Sequence, residues 1–254
     1  MGLLFYFSGV SIAFIVFQLL FPYKPKNDAD FGLLKKNAGK YNRLEAWSIF
    51  WIFLFVSYIM FCIVLIGSQM QKHFFAKDCL YLVQPTLSYW FFPGLILGFA
   101  LVGIPMQFLY KLILKNEYYL YMEFTNRKHG WDGYKIWRPV SVILFVTGII
   151  FFYLGLTWYV RVDQNDKMEI NDLSSLKTTT YNLSDISSII YSEKYLTKKG
   201  VEKKIENYRI IMKDGYEIST HVYGFFSLQE DRDRLKNCIE ELRRRAGGFP
   251  RKRE

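Results

Sequence analysis

Four stretches of this chain run about twenty residues without a charge, and they set its organisation. They cover about residues 3–22, 46–67, 88–110 and 140–160. At about 1.5 Å rise per residue each reaches roughly 30 Å, the thickness of a bilayer's hydrocarbon core. The last reads VSVILFVTGIIFFYLGLTWYV, between Pro139 and Arg161. Buried helices of soluble proteins rarely continue that far without a charged residue, so the pattern predicts four transmembrane helices. The first run lacks a basic leading segment and a small-residue cleavage site, and it is longer than the apolar part of a usual signal peptide. It is therefore read as a retained span. Met1-Gly2 does not begin a myristoylation motif, because Tyr6 stands where Ser or Thr is required.

After Arg161 the pattern changes to short runs rich in Ile, Tyr, Val and Thr. They fall at Lys167–Ile170, Lys177–Tyr181, Ile186–Tyr191, Tyr208–Met212 and Tyr216–Val222. Such runs predict strands. Lys213-Asp214-Gly215 between the last two predicts a hairpin. Ser227 and Glu230 then have capping-box spacing, and Leu228, Leu235, Cys238, Ile239 and Leu242 follow on one helical face. Arg243, Arg244 and Arg245 suit the negative end of that helix, and Gly247-Gly248 ends it. The predicted fold class is an α-helical membrane domain of four transmembrane helices, residues 1–162, plus a small α+β domain, residues 163–246. That domain is an antiparallel sheet capped by a C-terminal helix. A basic tail, residues 247–254, completes the chain.

Composition sharpens this division. Hydrophobic residues make up 51% and aromatics 19%, an excess that the four runs explain. The net charge is +10, and residues 1–162 carry 15 Lys+Arg against 7 Asp+Glu. The basic excess therefore belongs to the loops between spans, which makes it a topology signal. Loops one and three hold twelve basic residues between them and loop two holds Lys72 and Lys77. Loops one and three are expected on the cytoplasmic side, with both termini and the sheet domain extracytoplasmic. Lys35, Lys36, Lys40, Arg43, Arg127, Lys128 and Lys135 serve either as ligands of anionic lipid headgroups or as plain topology signals. Loop three also interleaves aromatics with its basic residues. Beside a bilayer this is an interfacial belt rather than a nucleic-acid surface, and no nucleic-acid partner is expected.

Little catalytic chemistry is offered. None of the spans contains Asp, Glu, Lys, Arg or His, which argues against a proton-coupled transporter. Ser57 and Ser141 have no His or Asp beside them, and His129 with Asp132 makes neither a catalytic nor a metal pair. Cys62, Cys79 and Cys238 show no ligand spacing, so no metal and no cofactor are expected. Gly94 and Gly98 form a GxxxG, which lets two helix backbones approach closely, within the chain or between copies. Pro105 should kink the third span near its end.

The segments YNLSDISSIIYSEKY and NYRIIMKDGYEIST, followed by a closing helix, resemble the bacterial pleckstrin-homology-like domains fused to membrane spans. Tyr181, Asp185, Ile186, Lys213, Asp214 and Gly215 carry the resemblance, which covers roughly residues 158–246. It implies a barrel-like sheet capped by a helix, a bacterial inner-membrane setting and a binding or scaffolding role. Eukaryotic pleckstrin-homology domains often bind phosphoinositides through a basic strand-strand loop. Lys198, Lys199, Lys203 and Lys204 around Gly200 are the corresponding candidate anion loop, with a solvated hairpin as the alternative. The chain is thus read as a non-enzymatic integral membrane protein that binds or scaffolds an unidentified protein through its soluble domain. Membrane lipids are the other partner, and self-association is left open. An immunity or defence protein against a membrane-acting toxin is one alternative, and an oligomeric channel or lipid-transport component is another.

Overall fold

A computed structural model describes residues 18–25, 31–75, 79–83, 85, 87–171, 177–196 and 202–219, and in the C-terminal segment 237, 239–242, 244–245 and 252–253. The first apolar run is therefore described only from Gln18 onward. Ser227, Glu230, Leu228, Leu235, Cys238 and Gly247-Gly248 also lie outside the described residues. Helices α1 (Phe31–Phe75), α2 (Leu87–Leu101), α3 (Gly103–Leu114), α4 (Tyr118–His129) and α5 (Gly133–Thr157) make up most of the chain before residue 158. α1 and α5 are each long and apolar enough to cross a membrane, and α2 with its bent continuation is a third such element if the pair counts as one span. The chain divides into two compact units, Met1–Cys62 with Gly94–Ile149 and Ile63–Pro93 with Ile150–Glu254.

In the first unit, residues 31–45 are not a loop, as the charge pattern suggested, but the opening turns of α1. The reason is a second apolar repeat hidden among the lysines. Leu34 and Tyr41 are seven residues apart and both buried, and Leu44 packs beside them against Tyr121 and Phe124 of α4. Tyr41 meets the Tyr121 ring edge-on at 5.7 Å and the Phe124 ring at 5.4 Å. Loop three is likewise helical over most of its length. α2 and its continuation over Gly103–His129 meet at a bend of 40°. Pro105 accounts for its place, since a proline cannot donate to the carbonyl four residues back and its ring crowds it. That carbonyl belongs to Leu101, the last residue of α2. α4 ends at Gly130, whose φ of 77° is the left-handed cap conformation. Asp132 then starts α5, its Oδ1 accepting from the backbone N–H groups of Tyr134 and Lys135, both at 3.2 Å. α5 therefore begins before Pro139 and carries it inside its first turns.

The second unit holds two four-stranded sheets. β1 (Cys79–Val83), β2 (Tyr159–Asp163), β3 (Lys167–Asn171) and β4 (Thr178–Asn182) form the first in sequential antiparallel order. In the second sheet β5 (Ile186–Leu196), β6 (Glu202–Met212) and β7 (Glu217–Ser219) are antiparallel neighbours, and β8 (Lys252–Arg253) lies parallel to β5. Side chains alternate as a half-buried sheet requires. Val160, Val162, Met168 and Ile170 from the first sheet share one core with Ile186, Ile189, Tyr191, Tyr208, Ile210, Met212 and Ile218 from the second. Ile239 and Leu242, from the helical residues within 237–245, close that core. On the outer face Arg161 and Glu169, directly opposite in register, form an ion pair at 2.7 Å.

Three strands were not expected, β8 in the basic tail among them. Tyr159 and Val160 were assigned to the fourth span, but α5 stops at Thr157 and they open β2. The segment after α1 belongs, by sequence, to the second loop between spans. It forms β1 and pairs with β2, Val83 opposite Val160 and Leu82 opposite Arg161.

Candidate functional site

The densest polar cluster of the first unit joins α1 to α4. Glu45 is the centre. Its Oε2 accepts from Lys128 Nζ at 2.6 Å, and its Oε1 lies 2.5 Å from His129 Nε2. Asn42 Oδ1 takes a second bond from Lys128 at 3.0 Å. Partial burial works to raise the Glu45 carboxyl, but the hydrogen bonds from Lys128 and His129 outweigh it and hold the group below its usual range. His129 also stacks on Trp131 at 5.5 Å. A second pair lies nearby, where Arg127 Nε donates to Glu123 at 2.5 Å. The hydroxyl of Tyr23 donates to the same carboxylate, and burial together with that neighbour pushes the phenol up to about 12. Residues 21–23 are fastened to the α4–α5 turn as well, Tyr23 N–H donating to Gly130 O and Asp132 N–H to Phe21 O, both at 3.2 Å.

This arrangement divides the seven basic residues singled out in the sequence. Lys40, Arg127 and Lys128 hold carboxylates of Glu117, Glu123 and Glu45. Lys135 is exposed and lies 3.6 Å from Asp132 on its own helix. Lys35, Lys36 and Arg43 are exposed and face no carboxylate among the described residues. His129 and Asp132 have structural work, one bonded to Glu45 and the other capping α5. The cluster therefore ties chain segments together, and both oxygens of its carboxylate are already engaged by Lys128 and His129.

Gly94 and Gly98 lie against α1. A Cβ on Gly98 would stand 2.9 Å from the Val56 carbonyl oxygen, and one on Gly94 would stand 3.1 Å from that of Met60. The motif is used within the chain, where two helix backbones approach too closely for a side chain.

Gln71 is the polar residue the sequence did not single out. It is fully buried, and its Nε2 donates to the carbonyls of Gly155 (3.1 Å), Leu156 (3.5 Å) and Trp158 (2.7 Å). The last carbonyls of a helix have no partner within it. A side chain from α1 thus satisfies the C-terminus of α5 one residue before β2 begins. Trp90 packs close by, its ring filling the space that a Cβ on Gly67 would enter at 2.4 Å.

In the sheet domain the residues that carried the resemblance come together. Asp185 forms a reciprocal capping box with Asn182, and its carbonyl accepts from Lys213 N–H at 2.8 Å. Tyr181 donates its hydroxyl to Asp214 at 2.9 Å, and burial and that carboxylate raise the phenol to about 12. Gly215, at φ 87°, supplies the left-handed residue of the β6–β7 turn. Ile186 is fully buried. These contacts clasp β4 to the hairpin and make a structural joint. Of the candidate anion loop, Lys198 and Lys199 lie outside the described residues. Lys203 and Lys204 fall in β6, in register with Tyr195 and Lys194. No group of three or more metal-ligating side chains occurs among the described residues.

No protein-family model, no curated protein and no solved structure matches the chain.

Proposed function

We propose that this is a multi-pass membrane protein of a bacterial inner membrane, non-enzymatic, that binds or scaffolds a partner protein through a pleckstrin-homology-like sheet domain. The observation that carries this reading is the pairing of β1 with β2. β1 follows α1 and β2 follows α5, so the sheet domain is built on two membrane helices instead of hanging from one. A platform held in this way suits a docking role, because the surface it offers is ordered before a partner arrives. Two largely antiparallel sheets sharing one core with helical residues Ile239 and Leu242 support the barrel-like, helix-capped reading.

The pairing also supports an even number of spans before the sheet domain. The segment after α1 and the segment after α5 must share one side of the membrane. The start of α1, bonded to α4, belongs to the other. α1, the bent α2–α3 pair and α5 then make three crossings, with the first apolar run as the fourth. The excess of basic residues on the α1–α4 side supports a cytoplasmic position for that side, with both termini outside.

Binding is tested with photo-crosslinking residues placed one at a time at exposed sheet positions Thr179 and Thr180 and at exposed helix positions Tyr58 and Phe108. A discrete protein adduct from the sheet positions, absent from the helix positions, is expected. Adducts from the helix positions alone would move the function to the spans and sink the docking reading. A reporter fused after Glu254 tests the orientation, with activity in the extracytoplasmic compartment expected.

A further inference from the structure

We propose that one face of the first turns of α1 is a binding surface for anionic lipid headgroups, with Lys36 and Arg43 as the ligands and Trp47 and Phe50 setting its depth. The inference deepens the membrane reading above and rests on α1 crossing the bilayer.

At about 100° per residue, Lys36, Lys40, Arg43, Trp47, Phe50, Leu54, Tyr58 and Phe61 fall within about 40° of one line along α1. All eight are exposed. Read along the helix, this stripe passes from cations to two aromatics to apolar side chains. Headgroups, interface and hydrocarbon require the same order. From Arg43 to Lys72 the contour is about 43 Å, the full thickness of a bilayer with its headgroup regions. Arg43 therefore stands at headgroup level when Trp47 stands at the interface.

The charge balance makes this face a site rather than a general basic excess. Lys40 is shared with Glu117 and Lys128 with Glu45, while Arg127 holds Glu123. Glu45 is the nearest acid in α1, and it lies about 180° from the stripe with both carboxylate oxygens occupied. Lys36 and Arg43 remain exposed with no carboxylate facing them among the described residues. They are one double turn apart on one line, so a single leaflet meets both. Arg43 adds a planar fork suited to phosphate. A nucleic acid would need the cations clear of the bilayer, whereas here the same stripe continues into hydrocarbon.

The test uses the full-length protein in nanodiscs of equal parts phosphatidylglycerol and phosphatidylcholine, followed by gentle extraction and analysis of retained lipid. Enrichment of phosphatidylglycerol is expected for the wild type, shrinking as salt rises. Each basic residue near an anionic surface contributes about fivefold, so Lys36→Gln with Arg43→Gln should cost roughly 30-fold in preference. The charge-matched control, Lys167→Gln with Lys213→Gln in the sheet domain, should leave the preference unchanged. Equal preference in the Lys36/Arg43 variant, or an equal loss in the control, would overturn the proposal, as would displacement of the lipid by inorganic phosphate. A bilayer-partitioning photolabel separates the two levels of the argument. Labelling of Leu54 and Phe61 without a phosphatidylglycerol preference refutes this surface alone, and absence of labelling there refutes the crossing of α1 as well.

Discussion

Glu45 and Lys128 stand 83 positions apart and meet through two side chains in the first unit. β1 and β2, separated by four helices, meet in the second unit through a ladder of main-chain hydrogen bonds. In one unit distant segments are joined by aromatic packing, ion pairs and close glycine contacts. In the other they are joined by backbone pairing over a continuous apolar core. A ladder is indifferent to charge and depends on register and core volume. Side-chain ties depend on protonation and salt, and each can be removed singly. The sheet domain should therefore fail as one cooperative body, and the α1–α4 end should loosen by degrees.

The largest effect that would sharpen this contrast comes from Ile186→Ala. The residue is fully buried where β4 turns into β5, and truncation should cost about 2–5 kcal/mol. Amide exchange should then rise together across residues 186–196 and 208–212, with 118–129 unchanged. An equal rise in α4 would show that the units do not open separately. Gln71→Leu comes next. It keeps the volume but leaves the last carbonyls of α5 without their donor, at about 1–3 kcal/mol, and exchange in residues 159–163 should report it.

Acid should act on the first unit. The folded Glu45 carboxyl sits below its ordinary 4.5, so its contribution is fully present above that value and is lost as pH falls through the depressed one. Exchange in residues 118–129 should increase as pH falls below 4.5 and the carboxyl takes up its proton. Glu45→Gln should produce the loosening at pH 7 and flatten the acid response. A wild-type α4 that stays protected at pH 3 would remove Glu45 as the tie. The smallest effect belongs to Lys40→Ala, because its pair with Glu117 is exposed on both sides and such pairs are worth about 0–1 kcal/mol. A larger loss would mean that the pair anchors more than its own two side chains.

Much of this division is legible in the sequence because an apolar helix of bilayer length and a half-buried strand leave different patterns. Runs of twenty uncharged residues marked α1, α2 and α5, and alternation with β-branched residues marked β3 to β7. The Lys213-Asp214-Gly215 turn was readable from its chemistry, as was the bend set by Pro105. Residues 31–45 were misread because Lys35, Lys36, Lys40 and Arg43 set their charge while Leu34, Tyr41 and Leu44 supply an apolar repeat that only α4 makes meaningful. β1 was missed for a related reason. CLYLV between two apolar helices has no alternation of its own, and its partner strand lies beyond four helices.

The sequence by itself determined that the chain carries helices long and apolar enough to cross a membrane and that a small sheet region follows them, since these depend on local composition and period. The tertiary structure alone decided that β1 joins the sheet, that Gln71 closes α5 and that Glu45 engages Lys128 while Lys36 and Arg43 are left facing outward. Each of those is a contact between residues far apart in the chain, and which partners meet is settled only when the helices and strands have packed.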